Sequence, residues 1–136
     1  MRLSKTFLIL AGFSGLAGIV LGALGAHALA ETLRERETVE AWDTAVRYHF
    51  FHTAALLGLG VWLRLEPAGA LAAAAGACWT AGLLIFCGTL YILALGGPGF
   101  LGPVTPIGGI LFMAGWVLLG LAAWRCPPER TIRRRE

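Results

Sequence analysis

Four long apolar stretches, roughly residues 6–26, 45–63, 69–95 and 105–124, fill most of this 136-residue chain and carry almost no charge. Each reaches or approaches the ~20 residues a helix needs to cross a bilayer's ~30 Å hydrocarbon core. A water-soluble fold of this size has no interior in which to hide that much uncharged surface. The sequence therefore predicts an all-α, polytopic membrane protein with four transmembrane helices in one antiparallel bundle. One membrane domain takes up residues 1–136, and residues 127–136 form a basic cytoplasmic tail.

Charge supports this reading. Only 14% of the residues are charged, against ~25% in a typical globular domain. The net charge of +3 does not make a nucleic-acid surface, because it sits at the two ends: Arg2 and Lys5, then Arg125, Arg130, Arg133, Arg134 and Arg135. Basic clusters beside a membrane span contact anionic lipid and set orientation. The expected partners are the lipid bilayer, with anionic lipid at the C-terminal tail, and no nucleic acid. Three cysteines give no disulfide framework. Cys78 and Cys87 lie nine residues apart in one apolar segment, so a helix separates them by more than about 13 Å. The small-x-small run Ala26-His27-Ala28 imitates a leader-peptidase site, but the apolar run before it is longer than an h-region's ~7–15 residues and is threaded with glycine. It is expected to be a retained first helix.

In that first helix Ser14, Gly18, Gly22 and Ala26 recur at four-residue spacing. Helices in lipid associate by close van der Waals contact, and small-xxx-small ridges let backbones approach. The ridge predicts a packing seam against another helix of the same chain, and Gly88, Gly108 and Gly109 are expected to serve packing elsewhere. Residues 27–44 form the one strongly polar loop, with five acids against Arg34 and Arg36. Within it Ala28 to Leu33 are good helix formers, and Thr38 with Val39, Ala41 and Trp42 suits the start of a helical segment that runs into the second span. Trp42 fits an interfacial anchor, and Asp43 and Arg47 are spaced to pair on a helix face. Glu66-Pro67 suits a tight turn, and Thr105-Pro106 reads as a cap and first residue of the last helix. Four spans put both termini on one side. That side, with Arg64, carries eight Lys/Arg, so both termini are predicted cytoplasmic.

Chemistry, if any, centres on histidine. His27 ends the first span and His52 lies in the second, with Tyr48 four residues before it and Arg47 adjacent to Tyr48. Ionisable residues within spans are expensive and mark function by default. Antiparallel neighbours would bring His27 and His52 to one end of the bundle. There they either pin helices by hydrogen bonds or hold haem, a metal or a quinone-like ligand. Metal sites need three or four ligands, and no further ligand stands at suitable spacing, so no metal and no cofactor is expected. Trp79 and Trp116 read as packing residues. There is no phosphate loop, zinc-protease helix or nucleophile turn, and the chain is expected not to be an enzyme.

Gly25-Ala26-His27-Ala28-Leu29, Trp42, Thr44-Ala45-Val46-Arg47-Tyr48 and His52 resemble the first half of the small YgdD/YwdK-like membrane proteins. Phe86-Cys87-Gly88-Thr89-Leu90-Tyr91 is similar to their Phe-Ser-Gly-Ser-Leu-Tyr segment, and Thr105-Pro106-Ile107-Gly108-Gly109 with Gly115-Trp116 to their last helix. The resemblance covers nearly the whole chain in order. It implies a four-helix bacterial inner-membrane protein of unknown function, with relatives in mitochondria. His27, Tyr48 and His52 fall on the family's motif positions. His49 stands where the family usually has glutamine, and Cys87 replaces a serine, which argues against a thiol role. The expected role is a structural or interaction component, such as an accessory subunit of a larger membrane complex. A ligand-binding protein using His27 and His52, and a small transporter or channel subunit, are the alternatives. Homo-oligomer and larger complex are both open to such a chain.

Overall fold

The computed structural model describes residues 2–66 and 69–126, and those residues are helical with no strand among them. Four helices are long: α1 (Arg2–Ala26), α3 (Val39–Leu65), α4 (Ala70–Ala94) and α5 (Thr105–Arg125), with a short α2 (Ala30–Glu35) between the first two. The basic tail expected at 127–136 lies outside the described residues. Proline sets two of the ends. Glu66 and Cys126 each precede a proline and are extended, at φ −126°, ψ 138° and φ −69°, ψ 123°, because a residue before proline is pushed out of the helical region. Pro106 lies in the first turn of α5, where its missing N–H costs nothing. Thr105 is no cap, however. A 3-10 turn, Gly99–Val104, runs straight into α5, so the Thr105 hydroxyl turns instead to the Leu101 carbonyl (3.2 Å) and Thr89 (2.7 Å).

Three helical segments are long and apolar enough to cross a membrane: Arg2–Ala26, Ala70–Ala94 and Gly99–Arg125. α3 has the length, at 27 residues, but its N-terminal half carries Glu40, Asp43, Arg47, His49 and His52, which lower its hydropathy below that of the others. It also begins at Val39, six residues before the apolar stretch that announces it.

α1 packs chiefly on α3, and α4 on α5. Along the first pair, Ser4 donates to the Gly60 carbonyl (2.8 Å), Ser14 shares a 2.6 Å hydrogen bond with Thr53, Gly18 faces His49 and Phe50, and Gly22 faces Val46. Positions climb along one helix as they fall along the other. The four-residue ridge is not one seam to its end, because Ala26 is exposed. Each four-residue step overshoots a full turn by ~40°, so Ser14 and Ala26 differ by ~120°, whereas Gly25 returns to within ~20° of Ser14. A Cβ at Gly25 would run into the Trp42 indole. Trp42 is accordingly no interfacial anchor. It is 2% exposed, sits edge-on to Tyr91 (4.8 Å between centroids) and donates its indole N–H to the Leu21 carbonyl (3.2 Å).

Glycine governs the second pair as well. A Cβ on Gly108 would strike the backbone of Phe86, one on Gly82 would meet Phe112 and the Gly108 carbonyl, and one on Gly115 would strike Trp79. A Cβ on Gly88 would enter open space, and one on Gly109 would meet only Phe86, at 3.8 Å. Within α4, residues Leu83–Cys87 form a π turn. One extra residue rotates the remainder of the helix by ~100°, and the Thr89 hydroxyl donates to the Ile85 carbonyl (2.6 Å) within this irregular stretch.

Candidate functional site

Two of the buried polar residues are histidines on α3, each with partners on other helices. His49 is 8% exposed, and its Nε2 lies 3.0 Å from the Ser14 carbonyl and 3.0 Å from the Ser14 hydroxyl. A carbonyl only accepts, which puts the ring hydrogen on Nε2 and leaves Nδ1 to accept from the Tyr91 hydroxyl at 3.3 Å. One side chain thus joins α1, α3 and α4. His52 is 2% exposed and takes the opposite tautomer: Nδ1–H donates to the Tyr48 carbonyl (2.9 Å), and Nε2 accepts the Trp116 indole N–H (3.3 Å). Its ring lies flat on Phe112, with centroids 3.5 Å apart at 8°. It therefore binds α3 to α5.

Each imidazole is used as one donor and one acceptor, so no lone pair is left for a ligand. Among the described residues no group of three or more His, Cys, Asp or Glu could hold a metal ion.

His27 does not join this cluster. It is exposed in the turn after α1 and makes no side-chain hydrogen bond among the described residues. Gly25 meets Trp42, ten positions before His52, so Gly25 already stands about 15 Å from His52 along the axis and His27 lies further still. The early start of α3 explains the gap: His52 lies thirteen residues after Val39, well inside the helix. Tyr48 is also displaced from the expected cluster. It is 45% exposed, and its ring packs against Phe86 (4.9 Å) while its carbonyl, not its hydroxyl, serves His52. Arg47 does not pair with the Asp43 carboxylate. Its guanidinium reaches the Asp43 carbonyl (3.4 Å) and the Thr44 hydroxyl (3.5 Å).

The residues that complete the site do not declare themselves in the sequence. Ser14 and Trp116 read there as packing residues, and Thr53 and Tyr91 carry no assignment. Tyr91 has one signal, as the last residue of the Phe86–Tyr91 motif. Trp79 is buried as expected, with an indole N–H that has no partner among the described residues. Beside the cluster, a groove of about 680 Å³ runs between α3 and α5 with Phe86 of α4 at its base, and Arg47, Tyr48, His52 and Trp116 all line it.

The family model described as "Protein of unknown function (DUF423)" matches residues 21–109, from within α1 to the start of α5. The chain belongs to the DUF423 family. Relatives include the UPF0382 membrane protein YwdK of Bacillus subtilis, 34% identical over 120 residues that cover 88% of this chain and 96% of the relative. The UPF0382 inner membrane protein YgdD of Escherichia coli K12 is 37% identical over 128 residues, covering 90% and 92%. A UPF0382 membrane protein of Haemophilus influenzae is 33% identical, covering 90% and 97%. No solved structure matches. This DUF423 member is thus a membrane protein whose relatives carry no assigned activity.

Proposed function

We propose that this DUF423 protein is a four-span inner-membrane bundle, its helices antiparallel in sequence order, that works as a structural or interaction component of a larger membrane complex and catalyses no reaction. One observation carries the reading. The histidines buried at membrane depth spend every ring nitrogen on helix contacts, His49 to Ser14 and Tyr91, His52 to Tyr48 and Trp116. Polar groups that function by default within spans are here fasteners. They also explain how α3 crosses the bilayer despite its polar residues, since its two histidines face protein partners rather than lipid.

Extraction in a mild detergent tests this. The expected result is a protein that migrates with other polypeptides and has neither a Soret band nor stoichiometric metal. A solitary chain carrying a haem or metal that His52→Ala removes would overturn it.

Orientation is set by charge. Arg2, Lys5, Arg64 and Arg125 sit at one end of the long helices, and Arg34 and Arg36 at the other, which with the positive-inside rule makes both termini cytoplasmic. A reporter fused after Glu136 is expected to read cytoplasmic, and a cysteine at Glu37 to be labelled from outside. Labelling of that cysteine only after permeabilisation would invert the topology.

A further inference from the structure

α3 and α5 do not touch backbone to backbone at the level of His52. They are bridged by rings, His52 on Phe112 and Trp116 on His52, and the space outside those rings is the groove of about 680 Å³, within the ~300–1,000 Å³ of small-molecule sites. Along α5 it runs from Pro106 to Trp116, a length of about 15 Å. Its wall is made of Phe51, Phe86, Ile110 and Met113, and its rim residues Phe51, Ile110 and Met113 are exposed, so it opens sideways. Gly109 keeps it open, since an added Cβ there would stand inside it and touch only Phe86.

The groove is not apolar throughout. Arg47 closes the Pro106 end, eight residues below Val39 and so about 12 Å down α3. A guanidinium set against apolar surface is costly unless paired, yet among the described residues no carboxylate lies within ion-pair distance of it, and its hydrogen bonds are long, at 3.4 and 3.5 Å. Tyr48 also lines the groove, and its hydroxyl has no hydrogen-bond partner among the described residues. The result is one unneutralised cation and one free hydroxyl at the outer end of an apolar channel open to the bilayer.

We infer that this groove is a binding site for one anionic phospholipid, its phosphate on Arg47 and Tyr48 and an acyl chain lying along Ile110 and Met113 toward Trp116. A planar guanidinium suits a phosphate, to which it offers paired N–H donors. The sideways opening admits a lipid directly from the membrane. The Arg47 end of this groove lies at the opposite end of the long helices from Arg64 and Arg125.

The test uses the full chain, delipidated in detergent and titrated with phosphatidylglycerol or with phosphatidylethanolamine of the same acyl chains, the bound lipid being counted by native mass spectrometry. One phosphatidylglycerol per chain is expected at concentrations where phosphatidylethanolamine is not retained. Arg47→Gln should weaken phosphatidylglycerol about tenfold, the loss of one charge-assisted contact, while Arg47→Lys keeps the preference. Gly109→Leu should fill the channel and lower retention of phosphatidylglycerol as well. Glycerol phosphate, lacking chains, should not compete. Equal retention of the two lipids, an unchanged affinity in Arg47→Gln, effective competition by glycerol phosphate, or a polypeptide held in the groove in place of lipid would each overturn the assignment.

Discussion

Replacing Gly108 by alanine is expected to cost about 3 kcal/mol of stability, the upper part of the range for overpacking a tight interface. The added Cβ would meet Phe86 at its own Cβ (2.7 Å) and Cα (2.8 Å), with the backbone nitrogen nearer still. A flexible side chain swings away from such a collision. Backbone does not, so α4 as a whole must shift away from α5. Phe86 lies in the π turn, and Phe112, which Gly82 admits from the other side, carries the His52 ring. Displacement of α4 therefore reaches the histidine cluster. Unfolding in a graded detergent-to-SDS series measures the loss. Gly88→Ala is the matched control in the same region: it has open space and exchanges glycine for a better helix former, so its midpoint should equal or slightly exceed the parent's. Gly22→Ala should also be tolerated, since its Cβ would lie 3.7 Å from Val46. A Gly108→Ala protein as stable as Gly88→Ala would mean that α4 and α5 do not come into backbone contact at Phe86.

These glycines show what sequence spacing can and cannot convey. That α1 carries a small-residue seam is written in Ser14, Gly18 and Gly22, and the structure sets α3 against them. Which glycine is tightest is not written there. Tightness depends on the partner, and it is the bulk of Trp42 that makes Gly25 indispensable while Gly22 meets only the end of a valine. Gly88, set in a motif, faces open space because the π turn just before it rotates the helix, and nothing in Leu83–Cys87 marks that extra residue. Proline, by contrast, acts locally, and so the C-terminal ends of α3 and α5 are legible to within a residue or two.

The candidate site is legible as to residue type but not as to depth. Apolar residues announce a span, so the span reads as starting near residue 45 with His52 about two turns inside it, and the helical segment from Thr38 that leads into it is counted with the polar loop. In the structure the two are one helix, and His52 lies thirteen residues after its first residue. That one shift separates it from His27. It also hides the partners of the histidines, which lie on other helices at sequence distances of 35, 42 and 64 residues. An indole reads as bulk in a sequence. Only when a lone pair stands opposite its N–H does Trp116 become a hydrogen-bond donor.

His52→Ala is accordingly expected to destabilise the protein by about 3 kcal/mol, combining a buried ring's worth of cavity with an indole N–H left without its acceptor. Trp116→Phe alone should cost about 1 kcal/mol, since the rim position keeps an aromatic ring and only the hydrogen bond is lost. Once His52 is gone, the second substitution has no hydrogen bond to remove. The double mutant should therefore fall short of the summed losses by about 0.5–1.5 kcal/mol, the scale of interhelical hydrogen bonds in membranes. His27→Ala should leave the unfolding midpoint unchanged, because its ring faces outward from a turn. His49→Gln supplies an internal comparison: an amide also offers a donor for the Ser14 carbonyl and an acceptor for Tyr91, so it should retain most of the stability that His49→Leu forfeits. Strict additivity between His52→Ala and Trp116→Phe would show that the 3.3 Å contact carries no energy. α3 and α5 would then be held by ring stacking on Phe112 alone.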